Sequence, residues 1–431
     1  MAVSLRRTIV AIVRAGGAYL VFSGIARVVP FALLPVLTRY IDPAGYGAIA
    51  VVMITSTALM PLIGLCSNSV FFQRYFKMVE TERVYLLNDS YKIVALMSVA
   101  VMLLAAACEP LIRSYLKITL GAFELAVGCA AAGMAMTLNL TMFQIRKQPL
   151  YYGVFQTTNA VANMALTVVL VVVLGFSWEG RIWAMFASSL GLAIAGFYLN
   201  VRNGDVRLAL MRHSPQLPVV ARLGGALLPA TFSAWAIAMS DRVFLTSLTS
   251  LEVLGIYAVG VMIGQVTDLV LNSLGQAYLP YFYEHAHRRE QATRIRVVQA
   301  TYAIVGVALV VAAGVSIVGP FILLWIVDVR YAGAAPVIGW IAFSYAFWCI
   351  GSVFQSLLLA VEKNAVTSYI STATLVVNLL ANWHLIQAYG MLGAAMANAA
   401  SSLTYVVLLF AAACYFNPMP WVDPRVIKLP R

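Results

Sequence analysis

Charged residues are scarce in this chain of 431 residues. Asp, Glu, Lys and Arg together make up 10% of it, whereas 62% of the residues are hydrophobic and the mean hydropathy is +0.89. A soluble domain of this size carries about 25% charged residues. This composition excludes an ordinary soluble globular protein. Because no basic run exceeds a few residues, the net charge of +12 gives no support for binding of nucleic acid.

Motifs of enzymatic chemistry are also missing. The sequence contains no GxSxG, no P-loop, no HExxH and no glycine-rich dinucleotide turn. The five cysteines show no CxxC spacing, so we expect small buried hydrophobic residues rather than a disulfide framework. We therefore expect no enzyme, no cofactor and no metal site.

What the sequence does contain is twelve apolar stretches, each long enough to cross a bilayer, which takes about 20 residues. They cover roughly residues 16–38, 46–70, 90–111, 123–144, 152–174, 181–200, 223–249, 254–281, 297–324, 334–360, 365–388 and 391–416. The sequence therefore predicts an all-α integral membrane protein with about 12 transmembrane helices.

The distribution of basic residues predicts the orientation. If the N-terminus is cytoplasmic, the inner loops and ends hold 21 of the 28 Lys and Arg residues, the outer loops hold 5, among them Arg181, and 2 lie inside stretches. Basic residues concentrate on the cytoplasmic side of membrane proteins. We expect a multi-pass protein of the cytoplasmic membrane with both termini in the cytoplasm.

A weak internal repeat divides the chain in half. Gly47 in the second stretch corresponds to Gly255 in the eighth, and Ser188 in the sixth corresponds to Ser401 in the twelfth, at offsets of 208 and 213 residues. Parallel repeats of this kind are common in transporters. We expect two pseudo-symmetric six-helix bundles, 1–212 and 213–431, around a central cavity.

Arg27 lies near the middle of the first stretch. A charged residue at the bilayer centre costs roughly 2.5–3.5 kcal/mol on insertion scales, so such a residue normally faces a protein interior or a wet cavity. Pro30 and Pro35 follow it and would bend the helix. One interpretation is attraction of an anionic headgroup, and the alternative is a structural contact that locks two helices.

Asp241 and Arg242 are adjacent in the seventh stretch. Neighbouring residues of a helix point about 100° apart, so we expect each to face a different partner rather than the other. Either Arg242 lines the cavity while Asp241 anchors to another helix, or the reverse holds. Pure structural pairing is the alternative to both.

Polar residues form a stripe on the eighth stretch, at Gln265, Asp268, Asn272 and Gln276. Spacings of three and four residues put them on one helix face. We predict that this face lines the cavity, with Gln265 and Asn272 binding substrate alongside Arg27 and Arg242. Asp268 is a candidate for coupling to an ion or proton, or for pairing with an arginine, and Asp241 has the same two candidate roles.

Two further polar stripes are predicted to be structural. They comprise Asn378 and Asn382 in the eleventh stretch, and Gln156, Asn159 and Asn163 in the fifth. Side chains of this kind commonly hydrogen-bond across neighbouring membrane helices.

Residues 37–48 read LTRYIDPAGYGA, and this motif resembles the hairpin after the first helix of the polysaccharide repeat-unit flippases, a family of the multidrug/oligosaccharidyl-lipid/polysaccharide (MOP) exporter superfamily. Leu228-Pro229, residues 240–245 (SDRVFL) and residues 255–258 (GIYA) resemble its seventh-helix region. Residues 390–395, GMLGAA, match the entry to its last helix.

This resemblance implies a fold and a function. The fold is two six-helix bundles around a cavity that alternates its access. The function is transfer of a prenyl-pyrophosphate-linked oligosaccharide across the bacterial cytoplasmic membrane for surface polysaccharide such as lipopolysaccharide or exopolysaccharide. The implied partners are the lipid-linked oligosaccharide, membrane lipids, and polymerase and chain-length proteins.

Other functions remain open. A lipid-linked peptidoglycan precursor flippase would be expected to have fourteen helices, whereas twelve stretches are predicted here, and charges within the spans argue against a non-transporting scaffold. A multidrug or cation exporter of the same superfamily would be expected to have mainly acidic cavity residues, whereas here two arginines accompany Asp241 and Asp268. A membrane-embedded polysaccharide polymerase or ligase usually has a long extracytoplasmic loop, which this sequence lacks.

Overall fold

The computed structural model describes residues 31–75, 78–146, 148–209, 213–272, 291–359, 361 and 363–421. These residues form helices and no strand. The first half of the described chain contains α1 (Phe31–Tyr40), α2 (Pro43–Gly64), α3 (Ser67–Arg74), α4 (Glu80–Ala107), α5 (Glu109–Leu116), α6 (Leu120–Ile145), α7 (Pro149–Thr167) and α8 (Trp178–Arg202). The second half contains α9 (Leu217–Leu248), α10 (Leu251–Gly264), α11 (Gln291–Ile326), α12 (Ala335–Leu359), α13 (Asn364–Tyr389) and α14 (Met391–Phe416).

Ten helices in the described ranges are long and apolar enough to span a membrane. An eleventh span is obtained if the two parts of α9, Leu217–Ser233 and Trp235–Leu248, count as one bent helix. Pro229 lies inside α9, and a proline in a helix removes a hydrogen bond and favours a bend. The protein is therefore an all-α, multi-pass membrane protein, as predicted, with ten or eleven candidate spans in the described residues.

Local sequence explains where several spans begin. Pro43 is the first residue of α2, and the Asp42 side chain accepts a hydrogen bond from the backbone N–H of Gly45 at 3.2 Å. Thr119 and Ser250 cap α6 and α10 in the same way. Such caps satisfy N–H groups that have no partner within the helix.

Three predicted stretches differ from the observed helices. The stretch at 46–70 is interrupted after α2, where Leu65 and Cys66 both adopt positive φ angles of 44° and 48°. The stretch at 90–111 lies mostly in α4, which begins ten residues earlier because Glu80 and Glu82 suit the first turn of a helix, and its last residues belong to α5. The stretch at 16–38 lies mainly outside the described residues.

By its internal packing the chain forms two compact units, Met1–Ala238 and Met239–Arg431. The boundary falls within α9. The division into 1–212 and 213–431 stays a proposal about domain organisation. In the second unit α12 packs against α10, α11 and α14, and α13 packs against α14. In the first unit α6 packs against α2, α4 and α8, and α7 packs against α8.

Close approach of small residues makes this packing possible. Within the second unit, the core between α11 and α12 includes Ala308, Ala312, Ala342 and Ala346, all fully buried. A Cβ at Gly393 would lie 1.9 Å from the carbonyl oxygen of Leu385, so only glycine fits there. Small residues let membrane helices pack closely without hydrophobic driving force between them.

Candidate functional site

Of the seven residues that the sequence predicts for the cavity, five are described, and all five belong to the second unit. They are Asp241, Arg242, Gln265, Asp268 and Asn272. Arg27 and Gln276 lie outside the described residues.

The carboxylate of Asp241 joins three helices of the second unit. The Tyr257 hydroxyl of α10 donates to Oδ2 at 2.5 Å, and Asn398 Nδ2 of α14 donates to the same oxygen at 2.9 Å. Asp241 is 3% exposed. The carboxylate is thus enclosed by donors from other helices and is not presented at a surface.

A neutral polar network extends from this carboxylate to α13. Ser240 Oγ donates to Asn378 Oδ1 at 2.5 Å, and Asn382 Nδ2 lies 3.0 Å from the same oxygen. Asn378 Nδ2 reaches Ser401 Oγ on α14 at 3.0 Å and Asn398 Oδ1 at 3.3 Å. The prediction that Asn378 and Asn382 bond to neighbouring helices is confirmed.

Arg242 pairs loosely with its neighbour. Its Nη1 lies 3.4 Å from Asp241 Oδ1 and 3.5 Å from Met239 Sδ, and its backbone N–H donates to Asp241 Oδ1 at 2.8 Å. The expectation that each residue faces a different partner holds for Asp241, which bonds to Tyr257 and Asn398, and the two neighbours also make this long contact with each other. The short Asp241 side chain folds back on the backbone, and the long Arg242 side chain reaches around the helix to it.

The two members of this pair differ in accessibility. The side chain of Arg242 is 16% exposed and that of Asp241 is 4% exposed. Arg242 also interacts electrostatically with Tyr345 of α12. The guanidinium is thus the more accessible charge of the pair.

The structure confirms that the eighth span has a polar face. The span runs from Leu251 to Asn272, and Asn272 Nδ2 donates to Asp268 Oδ1 at 2.8 Å. This bond confirms that residues four apart share a face. Gln265 and Asn272 are exposed, and Asp268 is half-buried.

Tyr345 connects this face to Arg242. Its side chain hydrogen-bonds to Gln265 and interacts electrostatically with Asp268 as well as with Arg242. One tyrosine of α12 therefore bonds to an amide and lies within electrostatic range of a cation and a carboxylate, which come from α9 and from the span that contains α10. Sequence reasoning missed Tyr345, because an aromatic residue in an apolar helix gives no signal of its own.

The first unit contains a buried charge that the sequence analysis assigned wrongly. Arg181 was predicted to lie in an outer loop, but α8 already begins at Trp178 and Arg181 is 8% exposed. Its Nη1 donates to Asn163 Oδ1 and, at 2.8 Å, to Thr167 Oγ1 on α7. The spacing of these two acceptors, four residues apart, is the signal that could have revealed the contact.

Asn163 also fulfils its predicted structural role. Its Nδ2 donates to Ser188 Oγ on α8 at 3.3 Å. Asn159, one turn earlier on α7, has a buried Oδ1 without a hydrogen-bond partner in the described part of the chain. Among the described residues no acidic side chain forms an ion pair with Arg181.

Sequence comparison identifies the family. Residues 12–286, more than half of the chain, match the family described as "Polysaccharide biosynthesis protein". The chain belongs to this family. The prediction made from the motifs at 37–48 and 240–258 is thereby confirmed.

Two curated proteins from Haemophilus influenzae are similar to this chain. "Lsg locus putative protein 1" is 22% identical over 270 residues, and an "Uncharacterized membrane protein" is 21% identical over 268 residues. Each match covers 62% of this chain and 64% of the relative. The chain therefore matches less than two thirds of the length of these relatives.

Solved structures show the fold of the family member. The structure of lipid II flippase MurJ in an inward closed conformation superposes with a TM-score of 0.70 at 12% identity, covering 94% of this chain and 87% of that one. The Vibrio cholerae MATE transporter VcmN gives a TM-score of 0.58 at 14% identity, covering 95% and 97%. The chain has the fold of MOP-superfamily transporters.

Proposed function

We propose that this protein is a flippase that moves a prenyl-pyrophosphate-linked oligosaccharide repeat unit across the bacterial cytoplasmic membrane for surface polysaccharide synthesis. The observation that carries the proposal is Arg242, a guanidinium within a membrane-spanning helix that is more accessible than the carboxylate beside it. It occurs in a polysaccharide biosynthesis protein with a transporter fold.

The chemistry of the second unit suits an anionic lipid headgroup. A guanidinium donates several hydrogen bonds in a plane and binds phosphate oxygens in pairs. The exposed amides of Gln265 and Asn272 lie on one face of the eighth span, where Tyr345 bonds to Gln265 and interacts with Arg242, and amides hydrogen-bond to sugar hydroxyls. The prenyl chain remains in the bilayer, so its hydrophobic surface is never transferred to water.

A cation exporter of the same superfamily would need an available carboxylate. Asp241 is 3% exposed and already accepts hydrogen bonds from Tyr257 and Asn398. A carboxylate held in this way stabilises helix packing and has little capacity left for a cargo cation. This enclosure argues against Asp241 as a binding site for a cargo cation.

Membrane location and partners follow from the same proposal. The excess of basic residues in alternate loops supports cytoplasmic termini in a bacterial inner membrane. A flippase of this kind would deliver its cargo to a polymerase and to the proteins that set chain length.

The decisive experiment is transport in proteoliposomes, with a fluorescently labelled prenyl-pyrophosphate-linked oligosaccharide as the probe. We expect Arg242→Ala to slow flipping by at least about tenfold, because a buried charge-assisted contact is worth about 1.5–3 kcal/mol. Arg113→Ala is the matched control, since Arg113 is 70% exposed and pairs with Glu109 on the surface. If Arg242→Ala and Arg113→Ala both transport the probe at the wild-type rate, the proposal that Arg242 binds an anionic headgroup is wrong.

The same assay tests the other two predicted sites. Arg27→Ala is expected to slow flipping if Arg27 contributes to headgroup binding, and normal transport by this variant removes it from the site. Asp268→Asn is expected to abolish the dependence of transport on pH or on a coupling ion. A variant at this position that keeps that dependence rules out a coupling role for Asp268.

In cells, deletion of the gene should cause lipid-linked oligosaccharide to accumulate on the cytoplasmic face of the membrane. Accumulation on the outer face would indicate a polymerase or ligase instead. An intact surface polysaccharide combined with increased sensitivity to cationic drugs would indicate the multidrug exporter.

A further inference from the structure

One aromatic residue of the second unit lies beside the proposed headgroup site and is held flat. Trp348 of α12 stacks on Tyr405 of α14, with ring centroids 4.6 Å apart and an interplanar angle of 14°. Tyr405 is 3% exposed, whereas Trp348 is 41% exposed. One face of the indole is therefore covered by the tyrosine ring, and much of the rest of the side chain is accessible.

The supporting tyrosine is itself fixed. A Cβ at Gly351 would lie 2.5 Å from Tyr405 Cδ1, so the ring occupies a notch in α12 that only glycine leaves open. The Tyr405 side chain also hydrogen-bonds to Ser371 of α13. Such a support holds the indole in one orientation and reduces the entropy that it loses on binding a ligand.

Helix geometry puts Trp348 on the side of α12 that faces the polar groups. It follows Tyr345 by three residues, and residues three apart are neighbours on a helix surface. Tyr345 hydrogen-bonds to Gln265 and interacts electrostatically with Asp268 and Arg242. The indole therefore lies next to the cluster that supplies the positive charge.

The packing of α10 on α12 ends just before this point. A Cβ at Gly260 would meet Val337 at 3.2 Å, and a Cβ at Gly264 would meet Ile341 at 2.6 Å, so the two helices touch closely along this part. From Tyr345 onward the facing residues are the polar Gln265 and Asp268. Trp348 thus lies where tight apolar packing gives way to polar side chains.

We propose that Trp348 is the stacking platform for a sugar ring of the lipid-linked oligosaccharide, next to a pyrophosphate bound at Arg242. This inference rests on the proposed flippase function and adds a carbohydrate subsite to it. A pyranose presents a face of C–H groups that packs on an aromatic ring, while its hydroxyls need polar partners at the edge. Trp348 supplies the ring, and the amides of Gln265 and Asn272 are suited to the hydroxyls.

The test compares the affinity of the purified full-length protein for two probes. One is a prenyl-pyrophosphate-linked oligosaccharide, and the other is the same prenyl pyrophosphate without sugar. We expect Trp348→Ala to raise the Kd for the first probe by about tenfold, equivalent to about 1.4 kcal/mol. The Kd for the sugar-free probe should change by less than about twofold, because the pyrophosphate contacts remain.

Two further variants make the test specific. Trp348→Phe keeps a ring on Tyr405 and should retain most of the affinity, which also covers the case in which Trp348→Ala fails to fold. Trp340→Ala is the matched control, because Trp340 is 43% exposed on the same helix but lies about 140° around the axis from Tyr345. We expect Trp340→Ala to bind both probes like the wild type.

The outcomes separate the subsite from the flippase function. Equal loss of affinity for both probes in Trp348→Ala, or no loss for either, overturns the platform while leaving Arg242 in place. The same loss in Trp340→Ala as in Trp348→Ala also overturns it. If the wild-type protein binds neither probe, the flippase function is wrong and the subsite is wrong with it.

Discussion

The two units of the chain build their buried polar clusters on the same pattern but around opposite charges. In the first unit Asn163 of α7 bonds to Ser188 of α8 at 3.3 Å, and in the second unit Asn378 of α13 bonds to Ser401 of α14 at 3.0 Å. Each serine also donates to the carbonyl three residues before it, at 3.1 Å in both units. The shared part of the two clusters is therefore neutral.

The charge is added differently in each unit. The first cluster is completed by the guanidinium of Arg181, and the second by the carboxylate of Asp241. With the offset of 213 that relates Ser188 to Ser401, Arg181 corresponds to Ala394, which is fully buried. A neutral pair of asparagine and serine can thus lie beside a charge of either sign, because an amide offers both donors and an acceptor.

The largest effect on stability is expected from removal of the Asp241 carboxylate in the second unit. Asp241→Ala should lower the free energy of unfolding by about 3–5 kcal/mol, because it leaves the donors of Tyr257 and Asn398 and the charge of Arg242 without their acceptor. Denaturant titration of the purified protein measures this loss. Asp241→Asn keeps an acceptor oxygen and should lose less. Wild-type stability of Asp241→Ala would show that the carboxylate does not organise the second unit.

A matched exchange of asparagine for aspartate sharpens the comparison of the two signs. Asn163→Asp places a carboxylate beside Arg181, whereas Asn378→Asp places one on Asn398, which already binds Asp241. We expect Asn378→Asp to be less stable than Asn163→Asp by about 2 kcal/mol. Lowering the pH from about 8 to about 5 should reduce the difference in stability between the two variants. Protonation of the new carboxylate in Asn378→Asp removes its repulsion with Asp241. Equal stability of Asn163→Asp and Asn378→Asp at both pH values would contradict the interpretation that the two clusters contain charges of opposite sign.

Removal of the first charge should have a smaller effect. Arg181→Met deletes the donor to Asn163 and Thr167 but leaves neutral acceptors and a similar side-chain volume, so we expect a loss of about 1–2 kcal/mol. Arg181→Lys keeps the charge with fewer donors and should fall between Arg181→Met and the wild type. The thermal unfolding midpoint in detergent gives the order of the three proteins. Greater stability of Arg181→Met would mean that burying the guanidinium costs more than its hydrogen bonds return.

The smallest effect on stability is expected from removal of the serine hydrogen bond that the two units share. Ser188→Ala and Ser401→Ala each remove one hydrogen bond between helices, worth about 1 kcal/mol. The two losses should agree within about 0.5 kcal/mol, measured by the same denaturant titration. A loss of stability in only one of the two variants would mean that the serine hydrogen bond stabilises that unit alone.

Much of this architecture could be predicted from the sequence. Hydropathy identified the spans because a bilayer demands long apolar helices. The spacing of Asn378 and Asn382 predicted helix-to-helix bonding, since polar groups in a span must find partners. The motifs at 37–48 and 240–258 predicted the family, which the match over residues 12–286 confirms.

The prediction failed where a helix began earlier than its apolar stretch. Arg181 was placed in a loop because a charge at the edge of an apolar run looks like an interfacial residue. Ideal side-chain directions predicted no good pair between Asp241 and Arg242, and the structure shows a long contact of 3.4 Å, because the flexible arginine side chain reaches back to its neighbour.

The sequence by itself determined that the chain is a helical membrane protein and which residues are polar within its spans, because period and hydropathy are local properties. Only the tertiary structure decided which charge accompanies each asparagine–serine pair, that Tyr345 interacts with Arg242, and that Trp348 stacks on Tyr405. Those facts depend on which helices pack together, and contacts between helices far apart in the chain leave no local trace in its sequence.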